Sequence, residues 1–158
     1  MLESHAALAR HFDDELLAKI PLARTMQLRV SRYDGDLLAL AAPLAPNVND
    51  KGCAFGGSLA SALTLAGWGL VALKLESIGS ACDIYVQDST IRYFAPIRTD
   101  FEAQAVLADG PAWEPFLATL AARGKARIDV RCRVALADDS DATTLGARFV
   151  AIRRASES

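Results

Sequence analysis

From Gly52 to Leu73 no side chain carries a charge, and the apolar residues of this stretch fall on every side of a helix. A helix of that kind must be enclosed by other structure. The pattern changes on either side of it. Leu8, Phe12 and Leu16 recur at helical spacing, which predicts an amphipathic helix over residues 3–19, ended by Pro21. Met26, Leu28 and Val30 alternate with Gln27, Arg29 and Ser31, the period of a strand. Asp34-Gly35 is a hairpin turn signal, and residues 37–42 return as a second strand. A loop over 43–57 feeds the long helix, which is predicted to end between Glu76 and Gly79. Residues 83–94, 101–107, 125–136 and 144–153 then read as strands, with a short helix over 111–123 capped by Gly124.

The order is helix, two strands, long buried helix, four strands. An antiparallel sheet of about six strands around one helix satisfies both the alternating strands and the helix that needs cover. The expected class is α+β, in a single domain over 1–158 with its core at about 20–154. No repeat, linker or low-complexity stretch interrupts it.

Composition adds limits. A hydrophobic content of 52% and a charged content of 23% are those of a soluble globular chain. A net charge of −2 points to neither nucleic acid nor an acidic membrane surface. Cys53, Cys82 and Cys132 are odd in number and lack metal-ligand spacing, so reduced thiols and no metal are expected. The N-terminus carries Glu3, Asp13, Asp14 and Glu15 where a signal peptide would be basic and then apolar. The uncharged stretch is long enough to span a bilayer, but its first residues belong to a Gly-rich loop and it includes Ser58, Ser61 and Thr64. The expectation is a buried helix in a cytoplasmic protein.

The candidate chemistry lies where loop becomes helix, in Asn49-Asp-Lys-Gly52-Cys-Ala-Phe-Gly56-Gly57-Ser58. Gly56, Gly57 and Ser58 leave backbone N–H groups unpaired at the positive end of the helix dipole, with Ser58 expected as the cap. Such a tip can hold an anion or polarise a carbonyl oxygen. Ser58, Ser61 and Thr64 recur every three residues along one side of the helix. They are read either as back-bonded packing residues or as a polar stripe along a substrate tunnel.

The same segment resembles the hotdog thioesterases of the phenylacetate-pathway type, which carry Asn-x-x-Gly-x-x-His-Gly-Gly before the central helix and an acidic residue seven positions later. Asn49, Gly52, Gly56 and Gly57 stand in register, and Thr90-Ile-Arg-Tyr93-Phe-Ala-Pro96 resembles a third-strand segment of that superfamily. The run Asn-Asp-Lys-Gly-x-x-Phe-Gly-Gly-Ser-Leu, followed by Gly67-Trp68, is more closely similar to a thioesterase family that also forms the C-terminal domain of YiiD-type acetyltransferases. The resemblance runs from about residue 20 to 154. It implies a hotdog fold, an acyl-CoA or acyl-carrier thioester as substrate, and an active site between subunits of a homodimer or dimer of dimers. It implies no cofactor beyond the coenzyme A or phosphopantetheine of the substrate.

Two departures bear on chemistry: Phe55 replaces the histidine and Thr64 the acidic residue. Gly57 keeps the polarising role, which needs only backbone geometry. Thr64 cannot act as a carboxylate base, but together with Asn49 it can hold a water. Asp88 is the candidate for a carboxylate supplied from a neighbouring strand or subunit, against a plain reading as a solvated strand residue. Phe55, Gly56, Ser58, Ser61, Arg92 and Tyr93 are the expected substrate contacts, Arg92 and Arg98 toward phosphates. Lys125, Arg127, Arg131 and Arg133 share one strand face, which alternation alone requires to be solvated, with phosphate attraction as the alternative. His5 and His11 lie in the first helix, which argues against a histidine-dependent triad. Cys53, in the motif loop, is a candidate nucleophile only if its pKa falls. The competing functions are a non-catalytic acyl-thioester binding module and a partner of an acetyltransferase.

Overall fold

A computed structural model describes residues 4–155 of the chain. Helix α1 (His5–Lys19) is capped by Ser4, whose hydroxyl accepts the Ala7 N–H at 3.1 Å. The predicted start at residue 3 lies outside the described residues. Leu8, Phe12 and Leu16 are all buried, as their spacing requires. Pro21 does end α1, but it also opens a second, short helix, α2 (Pro21–Thr25), which the periodicity does not indicate. Proline at a first helical position lacks only an N–H that would be unpaired there anyway. Met26 caps α2 and Gln27 adopts a φ of 57°, so strand β1 (Arg29–Tyr33) starts three residues later than the alternation suggests.

Strand β2 (Leu37–Ala42) follows across the Asp34-Gly35 turn, where the Asp34 carboxylate accepts the N–H groups of Asp36 and Leu37. Gly35, with φ 96°, supplies the left-handed residue. After the long helix α3 (Gly56–Glu76) come β3 (Cys82–Tyr93), β4 (Phe101–Leu107), α4 (Trp113–Arg123), β5 (Lys125–Ala135) and β6 (Asp141–Arg153). All pairings are antiparallel, in the order β1-β2-β4-β5-β6-β3. This is the α+β hotdog arrangement, with the sheet curved around α3.

Each strand turns its alternate residues inward. On β5, Ile128, Val130, Cys132 and Val134 are buried while Lys125, Arg127, Asp129 and Arg131 are exposed. Helix α3 is apolar and long enough to cross a membrane, with a mean hydropathy of 1.5, but here it forms the core of the fold. Two glycines bring it close to its neighbours. A Cβ at Gly67 would sit 2.9 Å from the Phe149 ring, and one at Gly69 would lie 2.6 Å from Phe12 and 2.7 Å from Leu38.

The two sheet edges are finished differently. At β1, Asp13 of α1 accepts the Val30 N–H at 3.0 Å and covers the edge. At β3, twelve residues form an edge with no such cover among the described residues, and Tyr85, Val86 and Tyr93 are roughly half exposed.

Candidate functional site

The loop before α3 is held by asparagines. The Asn49 side-chain oxygen accepts the N–H groups of Lys51 (2.8 Å) and Cys53 (3.1 Å), and its amide nitrogen lies 3.2 Å from the Cys53 sulfur. Gly52, at φ 78°, completes the turn. Asn49 therefore shapes the loop, and its oxygen is already engaged by two donors. Asn47 does more of the fastening. It is buried, donates to the carbonyls of Met26 (2.9 Å) and Pro43 (2.8 Å), and its own backbone carbonyl accepts the Phe55 N–H at 2.7 Å. Nothing in the sequence pattern marks Asn47 apart from Asn49, the other asparagine of the chain, so its role emerges only from these contacts.

With Ala54 N–H bound to the Ile97 carbonyl at 2.7 Å, the chain enters α3 from two fixed points. The N-cap is Phe55, in extended conformation, with no side-chain capping bond. Ser58, expected as the cap, instead lies within the first turn of the helix. The register is set by Phe55, whose carbonyl accepts the Leu59 N–H at 3.0 Å. Among the described residues, no acceptor meets the N–H groups of Gly56, Gly57 or Ser58. Three donors thus point out of the helix start at the positive end of its dipole.

Aromatic rings border this tip. The Tyr93 hydroxyl donates to the Gly56 carbonyl at 2.9 Å, joining the end of β3 to the first turn of α3. The Phe55 ring, half exposed, folds against Gly57 so closely that a Cβ there would run into it. Beside them opens a cleft of about 320 Å³ lined by Gly56, Leu59, Tyr93, Phe94 and Ile97. The side chain in the histidine position is thus an apolar lid over the glycine and has no proton to exchange.

Further along α3, Ser61, Thr64, Leu65 and Trp68 form a half-buried stripe. The Thr64 hydroxyl donates to the Ala60 carbonyl at 2.8 Å, leaving only its lone pairs for a water. Thr143, on the inner face of β6 and paired across the sheet with Tyr93, is fully buried, and its hydroxyl has no partner among the described residues. Asn47 Oδ1 shares that condition.

The other candidates lie elsewhere. A bulge at Gln87 reverses the alternation of β3, so that Ser89, Ile91 and Tyr93 follow the inner residues of β6 while Asp88 pairs with the exposed Arg148. Asp88 is therefore on the outer face, away from the helix tip of its own protomer. Arg92 is exposed on that same face, whereas Arg98 donates to the Lys51 carbonyl at 3.2 Å, beside the motif loop. Several arginines of the outer face are tied to polar or acidic neighbours. Arg127 binds Gln87, Arg133 binds Asp141 and Asp139, and Arg148 binds Asp129. The Arg148 hydrogen bond holds the Asp129 carboxyl below its ordinary pKa. Burial pushes the Cys132 thiol up to about 12, which makes it inert. Among the described residues, no group of three His, Cys, Asp or Glu side chains could hold a metal ion.

Comparison with known proteins agrees with the fold and narrows the class. A protein of unknown function from Chlorobaculum tepidum superposes with a TM-score of 0.90 at 28% identity, over 96% of this chain and 98% of its own. A structure described as a putative thioesterase from Shewanella oneidensis gives 0.82 at 26% identity, over 93% and 99%. The PaaI protein of the E. coli phenylacetic acid degradation operon shares the fold, at 0.65 and 12% identity over 97% and 98%. The family model described as "Putative thioesterase (yiiD_Cterm)" matches residues 9–153, and the chain belongs to that family.

Proposed function

We propose that the protein hydrolyses an acyl thioester of coenzyme A or of an acyl carrier, with the carbonyl oxygen seated at the start of α3. The observation that carries this reading is the trio of unpaired N–H groups at Gly56, Gly57 and Ser58, beside a cleft of about 320 Å³. Donors fixed before the reaction stabilise the oxyanion as it forms. Water oxygen bonds to the carbonyl carbon, the C–S bond breaks, and a water proton ends on the departing sulfur. A thiol is acidic enough, with a pKa of about 8.5, to leave without a strong acid. The Thr64 oxygen accepts a hydrogen bond from the attacking water, and Asn49 acts by holding the loop that aims the tip.

The bare β3 edge supports a homodimer. An edge of twelve residues with exposed Tyr85, Val86 and Tyr93 is an invitation to pair, whereas β1 is guarded by Asp13. Pairing along β3 would bring a second copy over the site, and Asp88 would then lie at the junction. The compartment expected for such a substrate is the cytoplasm.

A second reading, an acyl-thioester binding module without turnover, is favoured by one observation. The Asn49 oxygen and the Thr64 hydroxyl hydrogen are both already engaged, and Asp88 faces away from the tip of its own protomer. Thiol release from a panel of acyl-CoA esters separates the two. Hydrolysis that falls in Thr64→Ala and Asn49→Ala, with both variants folded, supports the enzyme. Tight binding with no thiol release supports the module.

A further inference from the structure

Between α3 and β3 runs a slot tied at both ends. At the tip end the Tyr93 hydroxyl reaches the Gly56 carbonyl at 2.9 Å. At the far end the Trp68 indole crosses from helix to strand and donates to the Ile84 carbonyl at 3.1 Å. Between the ties, Val86 and Ser89 of the strand are exposed although they follow the inner face, and Ser61 and Leu65 of the helix are half-buried. None of these four side chains can ionise.

Behind Trp68 lies a cavity of about 480 Å³ between α1, the C-terminal half of α3 and the start of β3. Phe12, Ala72, Leu75 and Tyr85 supply its apolar lining. Its charged rim is internally neutralised: Lys19 pairs with Glu15 at 2.5 Å, Arg154 with Asp83 at 2.8 Å, and His11 lies 3.4 Å from Glu76. A ligand seated here gains from burial and meets charges that already have partners, which suits hydrocarbon. Trp68 lines this cavity and closes the far end of the slot, and its indole is braced by the Phe12 ring at 5.6 Å.

We infer that Trp68 is the residue that sets acyl-chain length: a straight fatty acyl chain entering from the tip of α3 fills the slot and stops against the indole. The inference rests on the thioester reading above. Trp68 follows Gly57 by eleven residues, which is about 16 Å of helix. An extended zigzag advances about 1.2 Å per atom, so the slot holds a chain of about a dozen carbons. The groove behind becomes continuous with the slot only when the indole is removed.

The test is a series of saturated acyl-CoA esters from butyryl to stearoyl, measured for kcat/KM by thiol release and for affinity by calorimetry. The proteins are native, Trp68→Ala, and Trp68→Ala combined with Ala72→Phe, which refills the cavity. In the native protein, affinity should rise about fourfold per methylene up to about a dozen carbons and then stop rising. Trp68→Ala should continue that rise to palmitoyl and beyond while leaving butyryl within about twofold, and adding Ala72→Phe should restore the native limit. Trp68→Phe, which keeps a ring but loses the N–H, should move the limit by one or two carbons and serves if Trp68→Ala does not fold. Native and Trp68-substituted proteins with the same chain-length profile would overturn the inference. Hydrolysis without any length limit removes the gate and leaves the enzyme; a limit seen only in binding, without turnover, keeps the gate and removes the enzyme. Absence of binding to every ester removes both.

Discussion

Up to Leu73 the two sides of α3 are both uncharged, and they have opposite fates. On the side facing the sheet and α1, Leu63, Ala66, Leu70 and Val71 are fully buried, and Gly67 and Gly69 let Phe149, Phe12 and Leu38 approach as closely as backbone allows. On the side facing β3, Ser61, Thr64, Leu65 and Trp68 remain half-buried beside an exposed strand. Burial on the packed side goes into stability. The open side leaves apolar surface uncovered, and an uncovered apolar trough next to unpaired N–H groups has the character of a binding site. Size and polarity divide the two more than hydrophobicity does: glycine marks close packing, and small hydroxyls mark the open stripe.

The contrast can be broken most sharply on the packed side. Phe149→Ala removes a fully buried ring over Gly67 and should lower unfolding free energy by about 3–5 kcal/mol in denaturant titration. Gly69→Ala places a methyl 2.6 Å from Phe12 and 2.7 Å from Leu38 and should cost about 1–3 kcal/mol by the same measurement. Replacing Phe12 by Leu at the same time should recover part of that loss.

At the junction of the two sides, Tyr93→Phe removes the hydroxyl that holds Gly56 and should cost about 0.5–1.5 kcal/mol. Its effect on thiol release should exceed what that loss of stability explains, since the bond fixes the first turn of α3. On the open side, Ser61→Ala should change stability by no more than about 0.5 kcal/mol while altering the chain-length profile. Equal stability losses for Ser61→Ala and Gly69→Ala would show that the two sides do not differ as described.

A pH titration sharpens the same distinction. The Cys132 thiol faces Gly67, and burial raises its pKa from 9.0 to about 12. The folded state then holds this proton more tightly than the unfolded state. Its contribution is complete below pH 9 and is lost as pH rises toward about 12. Tyr33, also raised to about 12 by burial, adds a loss that begins near pH 10. Cys132→Ala should therefore flatten the alkaline fall in stability, and native Cys132 should resist thiol reagents at neutral pH.

The fold was legible because its signals are local and repeated. The alternation on β5, the Asp34-Gly35 turn, Gly124 after α4 and the length of the central helix each follow from a period or from one turn residue. Residues 21–28 show where such signals fail. Pro21 both stops one helix and starts another, and Met26 and Leu28 fit a strand period although Met26 only caps α2. Two apolar residues at spacing two cannot tell a strand from a turn. The site was legible only as a place. Gly56 and Gly57 located the tip, but which residue caps it, which way Asp88 faces, and what Asn47 fastens depend on contacts between distant segments.

The sequence by itself determined that a long uncharged helix must be wrapped by strands, because apolar surface on all sides has to leave water. It also determined that the helix begins with unpaired donors, because the first turn of a helix has no preceding carbonyls to accept its N–H groups and residues 56–58 have no side chain of the preferred capping kind just ahead of them. Only the tertiary structure decided which side of the helix is closed. The sheet order puts β3 at the edge, and there the inner-facing Val86, Ser89 and Tyr93 stay exposed, whereas the inner residues of β5 and β6 are buried against α3. That opening, with Trp68 across it, arises from strand register and helix approach, which no single stretch of sequence contains.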